Sequence, residues 1–424
     1  MSVRNLPVRP DLAQLKHQAK DLHRAIRRGD PDAIAELREH SPRVDPAAAK
    51  LSDAQHVLAR SYQASSWPRL LHACELIDSI WRDDVDGVLA LVTAHPDLLH
   101  EHATIRDSNW GPPMTYAANL GRDRIIRMLH KLGARDTEWA LGRAVLQGKI
   151  ETARMLHEML GSPEPPHGAL AGSAYTLSVS GTAFVLAIGG RIVDRNGVPD
   201  RGTMEHLLGT DSRNPPAKHR ILELYVEHGF EPPDTPVMAL HRGRIDLLER
   251  HLDRDSALLT RTYTLEDIFG FGLPPAGDAE PYTAQGTPLD GTTLLHIAAY
   301  FDEVEIGEWL LDRGMNPDAQ AAVAADGIGG YTALFSTVVS QHNFWVNYGK
   351  GQPDEARFTR LLLDRGANPN VRASLRHRFE DGHGGGSLRD YRDVTPLGWA
   401  DRFPQKVFVS RESVRLIEGR DGQR

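Results

Sequence analysis

Asp290-Gly291-Thr292-Thr293-Leu294-Leu295-His296-Ile297-Ala298-Ala299 decides how the rest of this chain is read. Gly291 permits a turn conformation closed to other residues. Thr293 stands where a helix starts, with a hydroxyl suited to accept from an orphan backbone donor. Ala298 and Ala299 are small enough to let neighbouring helices approach. A second apolar stripe follows at helical spacing, Ile306, Leu310 and Leu311, and then Asp312-Arg313-Gly314-Met315-Asn316-Pro317. Gly314 ends that helix and Pro317 keeps it from resuming. The pattern predicts two short helices and a tight turn within about 30 residues.

The same grammar returns along the chain. Gly330-Tyr331-Thr332-Ala333-Leu334 opens a unit that closes with Leu361-Leu362-Leu363-Asp364-Arg365-Gly366-Ala367-Asn368-Pro369-Asn370, and another opens at Asp393-Val394-Thr395-Pro396-Leu397. Upstream, Pro113–Ala118 pairs with a helix ending at Leu132-Gly133-Ala134, and Trp139–Gly148 with Ile150–Leu160. Thr182–Ile188 reads as the partner of Ile221–Gly229, and Val237–Gly243 as that of Ile245–Leu252. These residues resemble the ankyrin repeat, whose signature is T-P-L-H-x-A with a period of about 33 residues. Thr293–Ala298 and Thr395–Ala400 match it, with Leu294 replacing the proline and Gly398 the histidine. The resemblance covers roughly residues 76–419, strongly in the last third and by pattern alone before residue 240.

That resemblance implies an all-α ankyrin-repeat solenoid: about seven or eight helix-turn-helix pairs joined by short β-hairpin loops. It implies that His296 bonds backbone groups and ties one hairpin to the next. It also implies a partner, another protein, lying against the hairpin tips and the exposed face of each first helix. Carried over residue by residue, the positions after the paired alanines are Asn119 and Leu120, Tyr300 and Phe301, and Arg402 and Phe403. The hairpin positions are Trp110, Asp290 and Tyr331. Aromatic residues and Arg are the types that concentrate binding energy at interfaces.

The spacing departs from a plain array. Segments near 161–180, 189–217, 254–289, 340–356 and 372–392 are too long for simple connections and rich in Gly, Pro and charge, so they read as insertions. Residues 1–75 differ again. Leu12–Arg28, Pro31–Glu39, Ser52–Tyr62 and Pro68–Leu76 read as amphipathic helices, with Gly29-Asp30-Pro31 as a stop followed by a start. A terminal repeat exposes a hydrophobic face, so residues 1–75 are expected to form a helical cap on an array spanning 76–424. The run LPVRPDLAQLKHQAKDL ending in SSWPRLL is similar to the start of some bacterial ankyrin proteins.

Composition narrows the functions. The 424 residues carry a formal net charge of -8, which argues against a nucleic-acid grip built on a basic face. The first 70 residues hold 12 Lys/Arg and 8 Asp/Glu, a mildly basic start that reads as a solvated helical face. A single cysteine, Cys74, rules out an intrachain disulfide and a thiolate zinc site. The N-terminus has no apolar h-region, and the most apolar run, Ala183–Ile188, is far short of a membrane span. The expected protein is cytoplasmic, with no nucleic-acid or membrane partner.

Residues that carry chemistry are scattered. His95, His100 and His102 crowd together, but with no recognised metal spacing, so no metal is expected. Gly382-His383-Gly384-Gly385-Gly386-Ser387 lacks the Gly-Lys-Ser/Thr of a phosphate loop and the G-x-S-x-G elbow of a lipase. Gly270-Phe271-Gly272 lacks the third glycine of a dinucleotide fingerprint. No cofactor is implied. The reading is a protein-interaction module binding through the concave ankyrin face and its insertions, with no catalytic residue assigned. An alternative stays open: an enzyme, of hydrolase or lyase type, whose pocket lies between that face and the insertions. Asp290, His296 and Asp326 are the residues to inspect for it.

Overall fold

Helix starts in this chain are marked by a short polar residue with proline close behind. Asp30-Pro31, Ser66-Trp67-Pro68, Asn214-Pro215, Thr235-Pro236 and Thr395-Pro396 each open a helix, the first residue accepting from a backbone N–H of the first turn. A computed structural model describes residues 4, 6–210, 212–271, 286–339, 355–380, 386–404 and 406–424. The chain forms two compact units, Met1–Pro163 and Glu164–Arg424.

In the first unit the helices are α1 (Leu12–Arg28), α2 (Pro31–His40), α3 (Leu51–Ser61), α4 (Trp67–Trp81), α5 (Val85–Ala94), α6 (Pro113–Leu120), α7 (Asp123–Lys131), α8 (Thr137–Leu146) and α9 (Ile150–Met159). The first four share a core that includes Leu15, Ile26, Leu37, Val57, Leu58 and Leu70. Helix α4 runs to Trp81, beyond the expected Leu76, because Ile77 and Ile80 continue its buried stripe. From α4 onward the helices pack in consecutive pairs, α4 with α5, α6 with α7 and α8 with α9. α4, α6 and α8 pack on one another in succession, and α5 packs on α7. The helical start and the first pairs thus share one unit, whose boundary lies between Pro163 and Glu164.

In the second unit the helices are α10 (Ala171–Tyr175), α11 (Val179–Ala187), α12 (Arg201–Leu208), α13 (Pro215–Glu227), α14 (Pro236–His241), α15 (Ile245–Arg254), α16 (Leu265–Phe269), α17 (Leu294–Phe301), α18 (Val304–Asp312), α19 (Ala333–Thr337), α20 (Arg357–Asp364), α21 (Pro396–Arg402) and α22 (Arg411–Glu418). First helices stack on first helices: α10 on α12, α17 on α19, α19 on α21. Second helices do the same, α11 on α13 and α18 on α20. The expected pairing of Thr182–Ile188 with Ile221–Gly229 is therefore corrected. α11 and α13 are successive second helices, and their partners α10 and α12 lie inside segments read as insertions. Asp200 caps α12, and Met204, Leu207 and Leu208 bury its inner face.

The segment 372–392 holds the largest departure from helices. β1 (Ala373–Glu380) pairs antiparallel with β2 (Gly386–Val394) in register Leu375↔Tyr391 and Arg376↔Asp390. Ala373, Leu375 and His377 are buried while Ser374 and Arg376 are not, the period of two that a half-buried strand demands. The fold is all-α with this one two-stranded sheet among the described residues. Most of the 340–356 insertion, residues 272–285 of the 254–289 insertion and most of the glycine run at 382–387 lie outside the described residues.

Candidate interaction surface

In the second unit the segments that precede the first helices are joined to one another by backbone bonds. Thr292 and Tyr263 exchange N–H···O bonds of 2.7 and 3.2 Å. The Ala322 N–H donates to the Gly291 carbonyl at 2.8 Å, and Ala321 and Tyr331 continue the ladder at 2.9 Å. Gly329 and Ser374 then exchange bonds of 2.7 and 3.1 Å, and β1 carries the pairing to β2. The approach needs glycine at two points. Gly291 has φ +67°, and a Cβ there would lie 2.9 Å from that of Ala322; Gly329 has φ +122°, and a Cβ there would lie 1.9 Å from the Ala322 carbonyl oxygen.

His296 locks this ribbon to the helices. It is fully buried, and its Nε2–H donates to the Tyr331 carbonyl at 2.8 Å. Its Nδ1 faces the Thr293 hydroxyl at 2.9 Å and accepts from the Thr293 N–H at 3.4 Å. One imidazole therefore closes the start of its own helix and ties it to the next hairpin. Residues 290–322, which contain this device, match the ankyrin repeat family.

Residues 290–322 form an ankyrin repeat.

The ankyrin repeat domain of human ASB11, known from its crystal structure, is 16% identical to this chain, with a TM-score of 0.24. The match covers 72% of this chain and 98% of that one. Among curated proteins, no sequence matches this chain. Ankyrin repeats are generally protein-interaction modules.

The ankyrin array buries most of the side chains expected at its surface. Trp110, Asn119, Tyr300, Phe301, Tyr331 and Phe403 are all buried. Trp110 packs on Tyr116 with centroids 4.8 Å apart, and Phe403 lies against Trp399 at 5.2 Å. Asn119 donates to the Thr115 carbonyl and accepts from Arg143. Tyr300 is covered by Gly286 and by the Arg213 guanidinium, 4.3 Å from its ring centroid. The first helices have about two turns, so Asn119, Tyr300 and Phe301 near their ends meet neighbouring segments rather than solvent. That corrects the expected exposure. Leu120 is half-buried, and Asp290 and Arg402 are exposed.

Residues singled out for catalysis have separate structural partners. Asp290 accepts from the Leu265 N–H at 3.1 Å. Burial pushes the His296 imidazole down to about 4. The Asp326 carboxylate, on the surface, pairs with Arg376 at 2.7 Å, which holds it below the usual carboxylate range. The expected histidine crowd also disperses. His95 stacks on His72 with centroids 4.0 Å apart, at the edge of an open cavity of about 790 Å³. His102 turns to Asp107 at 3.2 Å. Among the described residues, no group of three His, Cys, Asp or Glu side chains is arranged to hold a metal ion.

The sequence reading missed the hairpin tip itself. Ala322, Val323, Ala324 and Ala325 are consecutive, apolar and exposed, with Val323 63% accessible. The tip is closed by the Ala324 N–H to Ile328 carbonyl bond at 2.7 Å. Beside it stands an ionic frame. Arg376 bonds Asp326 and Asp390, and Arg392 bonds Asp390 and the Asp326 carbonyl. Leu388 on β2 is exposed as well. The signal was present: Asp326-Gly327, a hairpin-turn dipeptide, follows an apolar run.

Proposed function

We propose that the ankyrin array binds a partner protein on the hairpin ribbon of its second unit, with the tip Ala322–Ala325 as the central apolar contact. One observation carries this reading: a run of four consecutive exposed apolar residues on a backbone fixed by hydrogen bonds at both ends. Runs of four consecutive exposed apolar residues run against the usual polar patterning of loops and are kept where they serve a function. The rigid ladder lowers the ordering cost of binding. Arg376, Asp390 and Arg392 supply a polar rim, Leu388 a second apolar point. Asp290 at the hairpin and Arg402 on a first helix extend the same reading to the concave face and inserted loops of the second unit, while Leu120 holds the corresponding first-helix position in the first unit.

The test compares proteins retained from the source cell by the wild-type chain and by Val323→Asp. Val323 is mostly in solvent, so the variant should keep the wild-type thermal midpoint while losing at least tenfold of the retained partner. Equal retention of every bound protein by the two chains overturns the proposal, as does a wild-type chain that retains none.

A further inference from the structure

Four helices of the second unit supply groups around a lysine, carried by a fifth, that has almost no contact with solvent. Lys218, on α13, is 2% exposed. Its Nζ lies 2.8 Å from Nδ1 of His241 on α14, 3.4 Å from the Leu208 carbonyl at the end of α12, and 3.7 Å from the ring centroid of Phe301 on α17. His241, also buried, places Nε2 2.8 Å from the Ile268 carbonyl on α16. A carbonyl only accepts, so Nε2 carries the ring proton and Nδ1 offers a lone pair to Lys218. The hydrogen bonds fix the tautomer.

Charged neighbours do not neutralise the pair. Among the described residues no carboxylate lies within ion-pair distance of Lys218. Glu303, the acid whose charge favours the ammonium, is buried and bound by His219 at 2.9 and 3.1 Å. Arg213 faces the same space from the turn before α13, stacked over Tyr300 and Phe301. Asp302 ends α17 in a left-handed conformation, φ +61°, with its carboxyl raised to about 6 by burial, while Arg213 and Arg357 lower it and Glu303 and Glu305 raise it. α12 and α16 present carbonyls. Burial therefore presses the Lys218 ammonium down to about 7, with Glu303 opposing and Arg213 adding to the fall. Burial and Lys218 together hold the His241 imidazole well below its ordinary range.

We propose that the Lys218–His241 pair is a proton-operated latch, closed when His241 is neutral and opened by a proton on its ring. A proton on Nδ1 removes the only acceptor Lys218 has on α14 and sets two cations 2.8 Å apart away from water. Such a pair is relieved by letting water in. The segments it joins, α12, α13, α14, α16 and the α17–α18 turn, then separate locally while the remaining helix pairs stay folded, as repeat arrays permit.

The experiment is amide hydrogen exchange on the full chain at pH 7.5 and 5.5, corrected for the intrinsic pH dependence of exchange. Peptides covering α13, α14 and α16 should lose protection at least tenfold on acidification, and those covering α1–α3 should not. In Lys218→Met the cation is gone and the loss at pH 5.5 should shrink several-fold. A wild-type chain without the acid loss, or a Lys218→Met chain that keeps all of it, overturns the latch. Should that variant fail to fold, the wild-type chain alone decides between pH 7 and 8.5. There the unfolded lysine keeps a proton that the folded one gives up, so the urea midpoint must rise with pH. A flat or falling midpoint overturns the proposal.

Discussion

His296 shows how much one side chain does in this array. It bonds the start of its own helix and the carbonyl of Tyr331 in the next hairpin, and does so as a neutral ring. Burial lowers its folded value to about 4 from an ordinary 6.5. As pH falls, the unfolded chain takes up the proton first. The stabilisation is therefore whole above pH 6.5 and is lost as pH falls toward 4, by about 3 kcal/mol at the lower end. His296→Asn should be less stable at pH 7 and lose correspondingly less on acidification, measured by urea denaturation at pH 7, 5.5 and 4. Parallel pH profiles for the two chains would remove this role. The role of His296 was legible in the sequence because the repeat fixes its place. That of Lys218 was not: in Pro215-Pro216-Ala217-Lys218-His219-Arg220 it reads as one more solvated cation, and only the stacking of α12, α14 and α17 around it makes it a core residue.

At the scale of elements, the strands β1 and β2 separate what holds the ribbon from what decorates it. Leu375 is fully buried, whereas Arg376, its neighbour, spreads two ion pairs over the surface. Exposed pairs are screened and contribute little. Leu375→Ala should lower stability by about 2–5 kcal/mol through the cavity it leaves, and Arg376→Ala should leave the denaturation midpoint unchanged. Equal losses for the two would show that the ionic frame, not the buried face, fixes the hairpin. The strands escaped the sequence reading because their alternation is short and its unburied positions in β1, Ser374 and Arg376, read as loop. α1, with its Asp11 cap and full amphipathic stripe, was legible to the residue, and α2 and α3 to within one residue at each end. The short first helices α10 and α12 were not, since five to eight residues carry too few apolar positions to show a period. The burial of most expected binding positions has a different cause. A repeat signature says which residue follows the alanines, but not what a neighbouring segment lays over it.

Across the whole chain, stability cannot come from covalent ties, and a single thiol makes that testable. Cys74 is the only cysteine in 424 residues and is 1% exposed inside the first unit. Burial pushes its thiol up to about 12, so almost no thiolate exists at neutral pH, and thiolate is the species that reacts. Each helix pair of an array is held chiefly by its neighbours, so Cys74 reports the opening of the stack around it. A thiol reagent should titrate no group in the native chain and one group in denaturant, and the thermal midpoint should be indifferent to reductant. Leu37→Ala, a truncation in the same core, should raise the labelling rate of Cys74 about as much as it lowers stability, tenfold for each 1.4 kcal/mol if opening and closing are fast. Native labelling at the rate of a free cysteine would mean that this core opens by local motion alone. A rate unmoved by Leu37→Ala would mean that α2 does not share in the opening of α4.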